Sequence, residues 1–307
     1  MSKRPDTGLT GILCINKPQD FTSFDVIAKL RGISGTRKIG HSGTLDPMAT
    51  GVLPIFFGSA AKACDLLPNS DKRYTAGVRF GLTSDTQDIW GSITDENPAP
   101  LSREDLEAAL PRFTGTISQL PPMYSAVQVN GQRLYDLARK GVEVERTPRE
   151  ITIYKLDLLS YDPEKREALL DVSCSKGTYI RTLCHDLGQF LGMGAVMSSL
   201  IRTEAAGFTL SDCVTLEDAQ KAASESRFSS LLLPVERIFA DLPAIRLSEA
   251  QTRMFCNGVR LDLNRVRCAK IPGNQAVYGS DGAFLGLAAC DFDQMELIMQ
   301  KLFFQRS

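Results

Sequence analysis

The 307-residue sequence has few of the residues that bind metals. It contains only two histidines, His41 and His185, and its eight cysteines include no C-x-x-C pair. Zinc sites need closely spaced cysteine and histidine ligands, so we expect no metal. Scattered cysteines are typical of reduced thiols in the cytoplasm, where disulfides are rare. We therefore predict a cytoplasmic protein.

Long hydrophobic runs are also absent. The apolar stretch VLPIFF falls far short of the roughly 20 residues that a membrane-spanning helix needs. The opening MSKRPDTGLTG has basic residues but no apolar segment of a signal peptide behind them. Hydrophobic residues at 43% and charged residues at 23% are ordinary for a globular protein with a sizeable core. We predict no association with a membrane.

Several catalytic motifs are missing. LGMGAVMSS lacks the third glycine of a dinucleotide-binding loop and follows a predicted helix instead of a strand. The sequence has no P-loop and no H-E-x-x-H motif. Either histidine could in principle join a Ser-His-Asp triad, but no G-x-S-x-G turn accompanies it. We expect no nucleotide cofactor.

One loop, HSGTLDPMATGVLP at residues 41–54, combines His41, a lone aspartate at Asp46 and several glycines. Glycine and proline impose unusual backbone conformations at a cost in chain entropy and local propensity. Taken alone, Asp46 before a proline is compatible with a simple turn or helix cap. A glycosidase would need two facing carboxyl groups, whereas this loop supplies one. The pattern favours a rigid site with a single carboxylate.

The net charge of −1 conceals a segregated distribution. Residues 29–81 carry eight Lys or Arg against three acids, and residues 246–270 carry six against two. Residues 85–107 carry seven acids against Arg103 alone. Such clusters often form ordinary solvated faces, but they also let a nearly neutral protein present positive potential to a polyanion. Two of them modestly favour nucleic acid as the partner.

Strand and helix patterns alternate without a regular βαβ rhythm, which favours an α+β fold. GILCIN, GVLPIFFG and RYTAGVRFG read as strands, and SAAKACDLL reads as a helix. Thr22 or Ser23 caps a predicted helix that Gly32 ends. The pattern loosens at 234–243, and a small α+β module follows. We predict a main domain over 1–240 and a second domain over 241–307.

The loop around Asp46 resembles the signature loop of the TruB family, which makes pseudouridine at uridine 55 in the T-arm of tRNA. Further blocks match the family in order: INKPQDFTSFD, DKRYTAGVRFG, GLTSDTQDIWG, QLPPMYSAVQVNGQRLYDLARKG and CSKGTYIRTLCHDLGQFLGMGA. The resemblance covers roughly residues 9–235. It implies a mixed-sheet pseudouridine synthase domain followed by a small PUA-like RNA-binding module, which we expect to grip the RNA backbone.

The resemblance also implies the site residues. Asp46 corresponds to the catalytic aspartate and Tyr74 to the tyrosine that stacks on the flipped base. Arg181 matches the arginine that pairs with the aspartate and keeps it ionised. The other implied substrate-binding residues are His41, Tyr179 and Leu200. Lys17 and Pro18 are expected to brace the loop. Isomerisation imports no group and oxidises nothing, so no cofactor is implied.

The sequence departs from the family pattern at three positions. Asp20 stands where members usually have glycine, and Val196 and Ile201 replace more polar residues. Arg202 is then the remaining basic residue of that block. We expect these changes to affect RNA contacts and loop flexibility but not the catalytic residues.

The favoured interpretation is a monomeric enzyme that binds the T-arm stem-loop of tRNA without a guide RNA. A guide-RNA-dependent relative acting on ribosomal RNA would be expected to carry partner-binding extensions. A non-catalytic RNA binder or folding chaperone would not need Asp46, Tyr74 and Arg181 together. Both alternatives remain open at this point.

Overall fold

The computed structural model describes residues 7–125, 127–129 and 131–303. In this part of the chain the α-helices are α1 (Ser23–Ser34), α2 (Arg103–Ala109), α3 (Leu134–Ala138), α4 (Ile180–Phe190), α5 (Leu216–Ser224) and α6 (Glu249–Cys256). Short 3₁₀ helices cover Gly58–Ala63, Leu110–Phe113, Leu210–Asp212, Phe228–Leu231 and Val235–Phe239. No helix within these ranges has the length and apolar character needed to cross a membrane.

The strands are numbered in chain order over the same ranges. They are β1 (Gly11–Lys17), β2 (Ile39–His41), β3 (Thr50–Phe57), β4 (Lys72–Phe80), β5 (Leu82–Ser84), β6 (Ile93–Glu96), β7 (Gly115–Gln119), β8 (Gln128–Val129), β9 (Gln132–Arg133), β10 (Arg149–Asp162), β11 (Glu167–Cys174), β12 (Ala195–Ala205), β13 (Phe208–Thr209), β14 (Cys213–Val214), β15 (Ala244–Arg246), β16 (Leu261–Asp262), β17 (Asn274–Tyr278), β18 (Phe284–Asp291) and β19 (Glu296–Leu302).

A ten-stranded mixed sheet organises the chain up to β14. Its order is β14-β1-β3-β12-β4-β11-β10-β7, with β2 paired to β3 and β13 paired to β12. The β1–β14 and β3–β12 pairs are parallel, and the other pairs along this path are antiparallel. The mixed sheet and its helices confirm the predicted α+β class. Strand β12, late in the chain, lies between β3 and β4 at the centre.

Alternation along β4 decides which side chains face the helices. Tyr74, Ala76, Val78 and Phe80 are buried in the core cluster that also contains residues of α1 and α4. Arg73 and Arg79, one position out of phase, point to the opposite face and bond Asp171 and Glu167. Because side chains alternate with a period of two, Tyr74 is directed to the same face as the helices.

The segment after residue 243 forms a separate five-stranded sheet in the order β15-β17-β18-β19-β16. Its own core includes Ile245, Phe255, Leu261 and Leu297. Helix α6 begins with a capping box in which Ser248 and Gln251 bond each other's backbone N–H, an arrangement that satisfies two unpaired donors of the first turn. A small α+β unit in this position agrees with the expectation of a PUA-like module.

The two sheets share a second apolar cluster. Phe56 and Val52 of β3 are fully buried against Phe239, Leu287 and Phe303. The out-of-phase residues of β3 lie in the main core on the other face. Strands buried on both faces read as continuous apolar runs, which explains GVLPIFF and GILCIN. The last module therefore covers apolar surface of the main sheet.

Two local predictions were wrong. Helix α1 does not end at Gly32 but continues to Ser34, and Gly35 adopts φ 71° as the left-handed cap. A single glycine inside a helix costs only about 1 kcal/mol, and the core packing of Val26, Ile27 and Leu30 stabilises α1 beyond it. SAAKACDLL does not form an α-helix either; only the 3₁₀ turns of Gly58–Ala63 are present.

Candidate active site

A pocket of about 280 Å³ opens beside β4 and β12. Its lining consists of Gly43, Thr44, Leu45, Asp46, Lys72, Tyr74, Ser125, Gly177, Thr178, Tyr179, Ile180, Arg181 and Leu200. Five of the six site residues predicted from the sequence line it; His41 does not. The volume is close to the lower end of the roughly 300–1,000 Å³ range of small-ligand pockets. It suits one nucleotide-sized group.

The loop that carries Asp46 is fixed from several sides. The Leu45 N–H donates to Ser23 Oγ at 2.8 Å, and the Ala49 N–H donates to the Asp46 carbonyl at 3.0 Å. Gly51 has φ 104°, and a side chain there would meet the Arg202 carbonyl at 2.2 Å. Only glycine fits that crossing of two backbones. The loop therefore presents the Asp46 carboxylate in one orientation.

Lys17 braces this loop, as predicted. Its side chain is fully buried, and Nζ donates to the carbonyls of Pro18, Phe21 and Pro47 at 2.9, 2.5 and 3.3 Å. Burial lowers the pKa of Lys17 to about 8, while the nearby Asp46 carboxylate opposes part of that fall. The lysine joins β1 to the carbonyl of Pro47, the residue that follows Asp46.

Asp20 adopts φ 67°, in the left-handed region that favours glycine. Its N–H donates to the Pro47 carbonyl at 3.0 Å. A glycine would adopt this conformation without a Cβ penalty, which gives a physical reason for the family preference. The aspartate keeps the same backbone path at the cost of some strain.

Arg181 holds the Asp46 carboxylate. Its Nε donates to Asp46 Oδ2 at 2.9 Å, Nη1 donates to the Thr86 carbonyl at 3.0 Å, and Nη2 donates to the Tyr124 carbonyl at 2.7 Å. The Arg181 side chain is 5% exposed and that of Asp46 is 38% exposed. A buried guanidinium with three fixed acceptors cannot swing away, so it aims the carboxylate into the pocket.

A second carboxylate lies behind this pair. Asp88 Oδ2 is 3.9 Å from Arg181 Nε, and Asp88 Oδ1 accepts bonds from Thr86 Oγ1 and from the N–H groups of Trp90 and Gly91. Asp88 does not line the pocket. The prediction of a single carboxylate therefore holds for the residues that line the pocket. Asp88 is a second carboxylate that lies outside the pocket, beside Arg181.

Tyr74 and Leu200 form an apolar wall from adjacent strands, β4 and β12. Leu200 pairs with Ala76 in the β12–β4 register, and both pocket residues are largely buried, at 5% and 7% exposure. Burial raises the pKa of Tyr74 to about 12, and the neighbouring Arg202 guanidinium opposes that rise. The phenol is therefore protonated at neutral pH in the unliganded protein.

Tyr179 lies at the residue that precedes α4. Its N–H donates to Gln119 Oε1 at 2.8 Å, and Gln119 Nε2 donates to its carbonyl at 3.0 Å. Gln119 is 2% exposed. This amide, which the sequence reasoning missed, fixes the start of α4 and with it the position of Arg181 two residues later.

His41 lies beside the pocket, at the end of β2. Its Nδ1 accepts a hydrogen bond from the Gly43 N–H at 3.2 Å. Burial and the Arg202 charge lower the pKa of His41, so the ring is neutral at pH 7. In this structure the ring supports the backbone of the Asp46 loop, and its assignment to the extruded nucleotide stays a prediction.

Two basic residues contribute to the site although the sequence did not predict a role for them there. Lys72 lines the pocket, and because it stands two residues before Tyr74 in β4, strand alternation alone could have revealed it. Arg202 is fully buried and donates to the carbonyls of Val52, Thr44 and Gly43 at 2.7, 3.4 and 3.2 Å. It braces the Asp46 loop from behind.

The remaining departures lie in β12. Val196 is fully buried, whereas Ile201 is 40% exposed. Only Ile201 is therefore at a surface where a charged family residue could reach RNA. No group of three or more His, Cys, Asp or Glu residues in the described part of the chain could hold a metal ion.

The arrangement can perform nucleophilic chemistry on a bound ring. A carboxylate held by a buried arginine lies in the same small pocket as a tyrosine and a leucine side chain. An aromatic face can stack on a planar ring, and stacking of a nucleic-acid base on an aromatic side chain is typically worth about 1–3 kcal/mol. The pocket thus combines an oriented carboxylate with an aromatic and an apolar side chain.

The fold is shared with chains of known structure. The archaeal box H/ACA Nop10–Cbf5 complex contains a chain that matches with a TM-score of 0.73 at 24% identity, covering 99% of this chain and 90% of that one. A Cbf5–Nop10–Gar1 complex matches with a TM-score of 0.75 at 24% identity, covering 99% and 92%. At this identity the likeness concerns the fold.

Sequence comparison identifies the family. The model of the TruB family pseudouridylate synthase N-terminal domain matches residues 31–180, and that of the tRNA pseudouridylate synthase B C-terminal domain matches 181–240. tRNA pseudouridine synthase B of Pseudomonas fluorescens is 42% identical over 296 residues, covering 95% of each chain. That of Symbiobacterium thermophilum is 47% identical over 251 residues, covering 81% and 82%. The chain belongs to the TruB family and is an isomerase that makes pseudouridine in tRNA.

Proposed function

We propose that this enzyme converts uridine 55 in the T-arm of tRNA to pseudouridine, with Asp46 as the nucleophile. The observation that carries the proposal is the 2.9 Å contact between Arg181 Nε and Asp46 Oδ2 in a pocket also lined by Tyr74 and Leu200. This contact holds the carboxylate in one orientation, which nucleophilic attack requires. The uridine enters the pocket as a flipped base.

The reaction rearranges one nucleotide. The Asp46 carboxylate attacks C1′ or assists departure of the base, and the N1–C1′ bond breaks. The base rotates, C5 bonds to C1′, C5 loses its proton, and N1 ends protonated. Tyr74 is held against the base, so its phenol oxygen is the group proposed to relay the C5 proton. Because the pKa of Tyr74 is raised to about 12, the phenol is protonated before RNA binds. It must release that proton in the complex before it accepts one.

We propose His41, Tyr179 and Leu200 as further substrate contacts, and residues 1–240 and 241–307 as the catalytic domain and the RNA-binding module. All six basic residues between Arg246 and Lys270 are exposed, which supports RNA binding by this module. Three of them form ion pairs with acids of the same module, Arg253, Arg260 and Arg265. These pairs weaken the positive potential, so Arg246, Arg267 and Lys270 are the better candidates for phosphate contacts.

The proposed enzyme is a cytoplasmic monomer that needs neither a cofactor nor a guide RNA. The test is to incubate purified protein with a T-arm stem-loop transcript and map pseudouridine by carbodiimide modification and primer extension. We expect one pseudouridine, at the position of uridine 55, with RNA and protein as the only macromolecules present. A matched transcript with cytidine at that position is the control. Product at another position, or product only after a guide RNA is added, would contradict the proposal.

A further inference from the structure

We propose that Ser125 is an additional substrate-binding residue whose hydroxyl makes a hydrogen bond to the flipped uridine. This inference rests on the proposed function, in which the pocket receives that nucleotide. Ser125 is 5% exposed and lines the pocket together with Asp46 and Arg181. Its Oγ is buried without a hydrogen-bond partner among the residues that the structure describes.

The backbone around Ser125 is held in place by its own bonds. The Tyr124 carbonyl accepts a hydrogen bond from Arg181 Nη2 at 2.7 Å, and the Ser125 carbonyl accepts one from the Tyr135 N–H at 3.1 Å. The Ser125 N–H donates to the Met123 carbonyl at 3.0 Å. The main-chain groups of Ser125 are therefore satisfied, and the hydroxyl is its one polar group left unpaired.

A buried hydroxyl without a partner is unfavourable, because it has lost water and gained no protein hydrogen bond. A polar atom of a bound ligand can supply the missing hydrogen bond. Because the hydroxyl is already desolvated and held in place, the contact is preorganised for binding. Uracil offers two carbonyl oxygens and an N–H, and ribose offers hydroxyl groups. The serine hydroxyl can donate or accept, so it can pair with any of them.

The same guanidinium positions both ends of the site. Arg181 bonds the Asp46 carboxylate through Nε and the Tyr124 carbonyl through Nη2. The nucleophile and the Ser125 segment are thus tied to one rigid group. A hydroxyl fixed relative to the nucleophile can help set the distance between Asp46 and C1′ of the nucleotide.

The test is Ser125→Ala, which removes the hydroxyl without enlarging the side chain. No protein hydrogen bond of that hydroxyl is lost, so we expect a melting temperature equal to or above that of the wild type. We expect kcat/KM on the T-arm transcript to fall by about 5-fold to 100-fold, since the bound nucleotide then lacks its partner. Ser125→Thr, which restores a hydroxyl, should recover part of the activity if it folds normally.

Thr203→Val is the matched control. Thr203 Oγ1 is also buried without a partner among the described residues, but Thr203 does not line the pocket. The valine variant should keep the wild-type kcat/KM. A similar loss in both variants would mean that removing a buried hydroxyl disturbs the protein in general, and would overturn the assignment.

Binding to modified transcripts identifies which part of the nucleotide is contacted. In a double-mutant cycle, the affinities of the wild type and of Ser125→Ala are compared on normal and modified transcripts. If the base is the partner, the affinity difference between the two proteins disappears with an abasic target. If the ribose hydroxyl is the partner, it disappears with a 2′-deoxyuridine target. Either result supports the proposal. Wild-type kcat/KM in a folded Ser125→Ala variant overturns it, while wild-type turnover that still depends on Asp46 would leave the proposed function intact.

Discussion

Substitution of Phe303 tests whether residues 241–307 stabilise the main domain or form an independent RNA-binding module. Its side chain is 4% exposed, and its ring centroid lies 5.6 Å from that of Phe239 and 5.8 Å from that of Phe284. The same cluster contains Phe56 and Val52 of the main sheet. Phe303→Ala therefore removes a ring from the boundary between the two sheets.

The expected cost follows from burial. Truncating a fully buried phenylalanine to alanine typically costs 3–5 kcal/mol, because transfer energy is lost and a cavity remains. The two aromatic contacts of the ring, worth roughly 0.5–1.5 kcal/mol each, are part of that cost. The backbone bonds of Phe303, from its N–H to the Leu285 carbonyl and from Ser59 Oγ to its own carbonyl, stay possible in the variant. We expect about 4 kcal/mol of lost stability.

Thermal and urea unfolding measure the effect. The melting temperature should fall by roughly 5–12 °C, given the usual relation between free energy and midpoint in large domains. Phe292→Ala is the control, since Phe292 belongs to the same module and is 44% exposed. Equal midpoints for the two variants would refute the structural role of the shared cluster. A truncation after Asp241 would also uncover Phe239, so it cannot separate RNA binding from folding.

Two further predictions concern the tyrosine and the buried lysine. Tyr74→Phe keeps the ring but loses the phenol oxygen. The variant should still bind RNA, but single-turnover assays should show that the steps after glycosidic cleavage are severely slowed. Equal activity of Tyr74→Phe and Tyr74→Leu would show that Tyr74 is an ordinary core residue. Lys17 has a pKa of about 8 in the folded protein against 10.5 unfolded, so above pH 8 the unfolded chain binds more protons and stability rises with pH. The unfolding free energy of the wild type should therefore rise by about 3 kcal/mol relative to that of Lys17→Met between pH 8 and pH 10.5. If the difference between the two proteins stays constant over this range, Lys17 keeps its ordinary pKa and the prediction is wrong.

Local signals in the sequence predicted local structure well. Thr22 and Asp25 form the capping box that opens α1, and the strands β1, β3 and β4 appear where their apolar patterns indicate. These features depend on neighbours a few residues away. The end of α1 was misplaced because Gly32 and Gly35 are both plausible caps and only tertiary packing decides between them.

Long-range features were not predictable in the same way. Strand β12 lies between β3 and β4, and its parallel register with β3 joins Ile201 to Thr50. Nothing in its local pattern specifies those partners. The burial of Arg202 could not be predicted either, because arginine is rarely fully buried. Its three carbonyl acceptors come from a loop and a strand about 150 positions earlier.

The site was predictable mainly through the family resemblance. Asp46, Tyr74, Tyr179, Arg181 and Leu200 do converge on one pocket. Residues that support them from behind carry no motif of their own: Gln119, Asp88 and Ser125 are a buried amide, a buried carboxylate and a buried hydroxyl. Such groups can be assigned a role only when their hydrogen-bond partners, or the lack of them, are known.

Asp46→Asn tests the central claim most directly. Asparagine has nearly the same shape and still offers an oxygen to Arg181 Nε, but it has no charge and no nucleophilic carboxylate. We expect the variant to melt near the wild-type temperature and to bind the T-arm transcript within about tenfold, or 1.4 kcal/mol, of the wild type. Under single-turnover conditions it should form no detectable pseudouridine. Isomerisation at a rate near that of the wild type would contradict the assignment of Asp46 as the nucleophile.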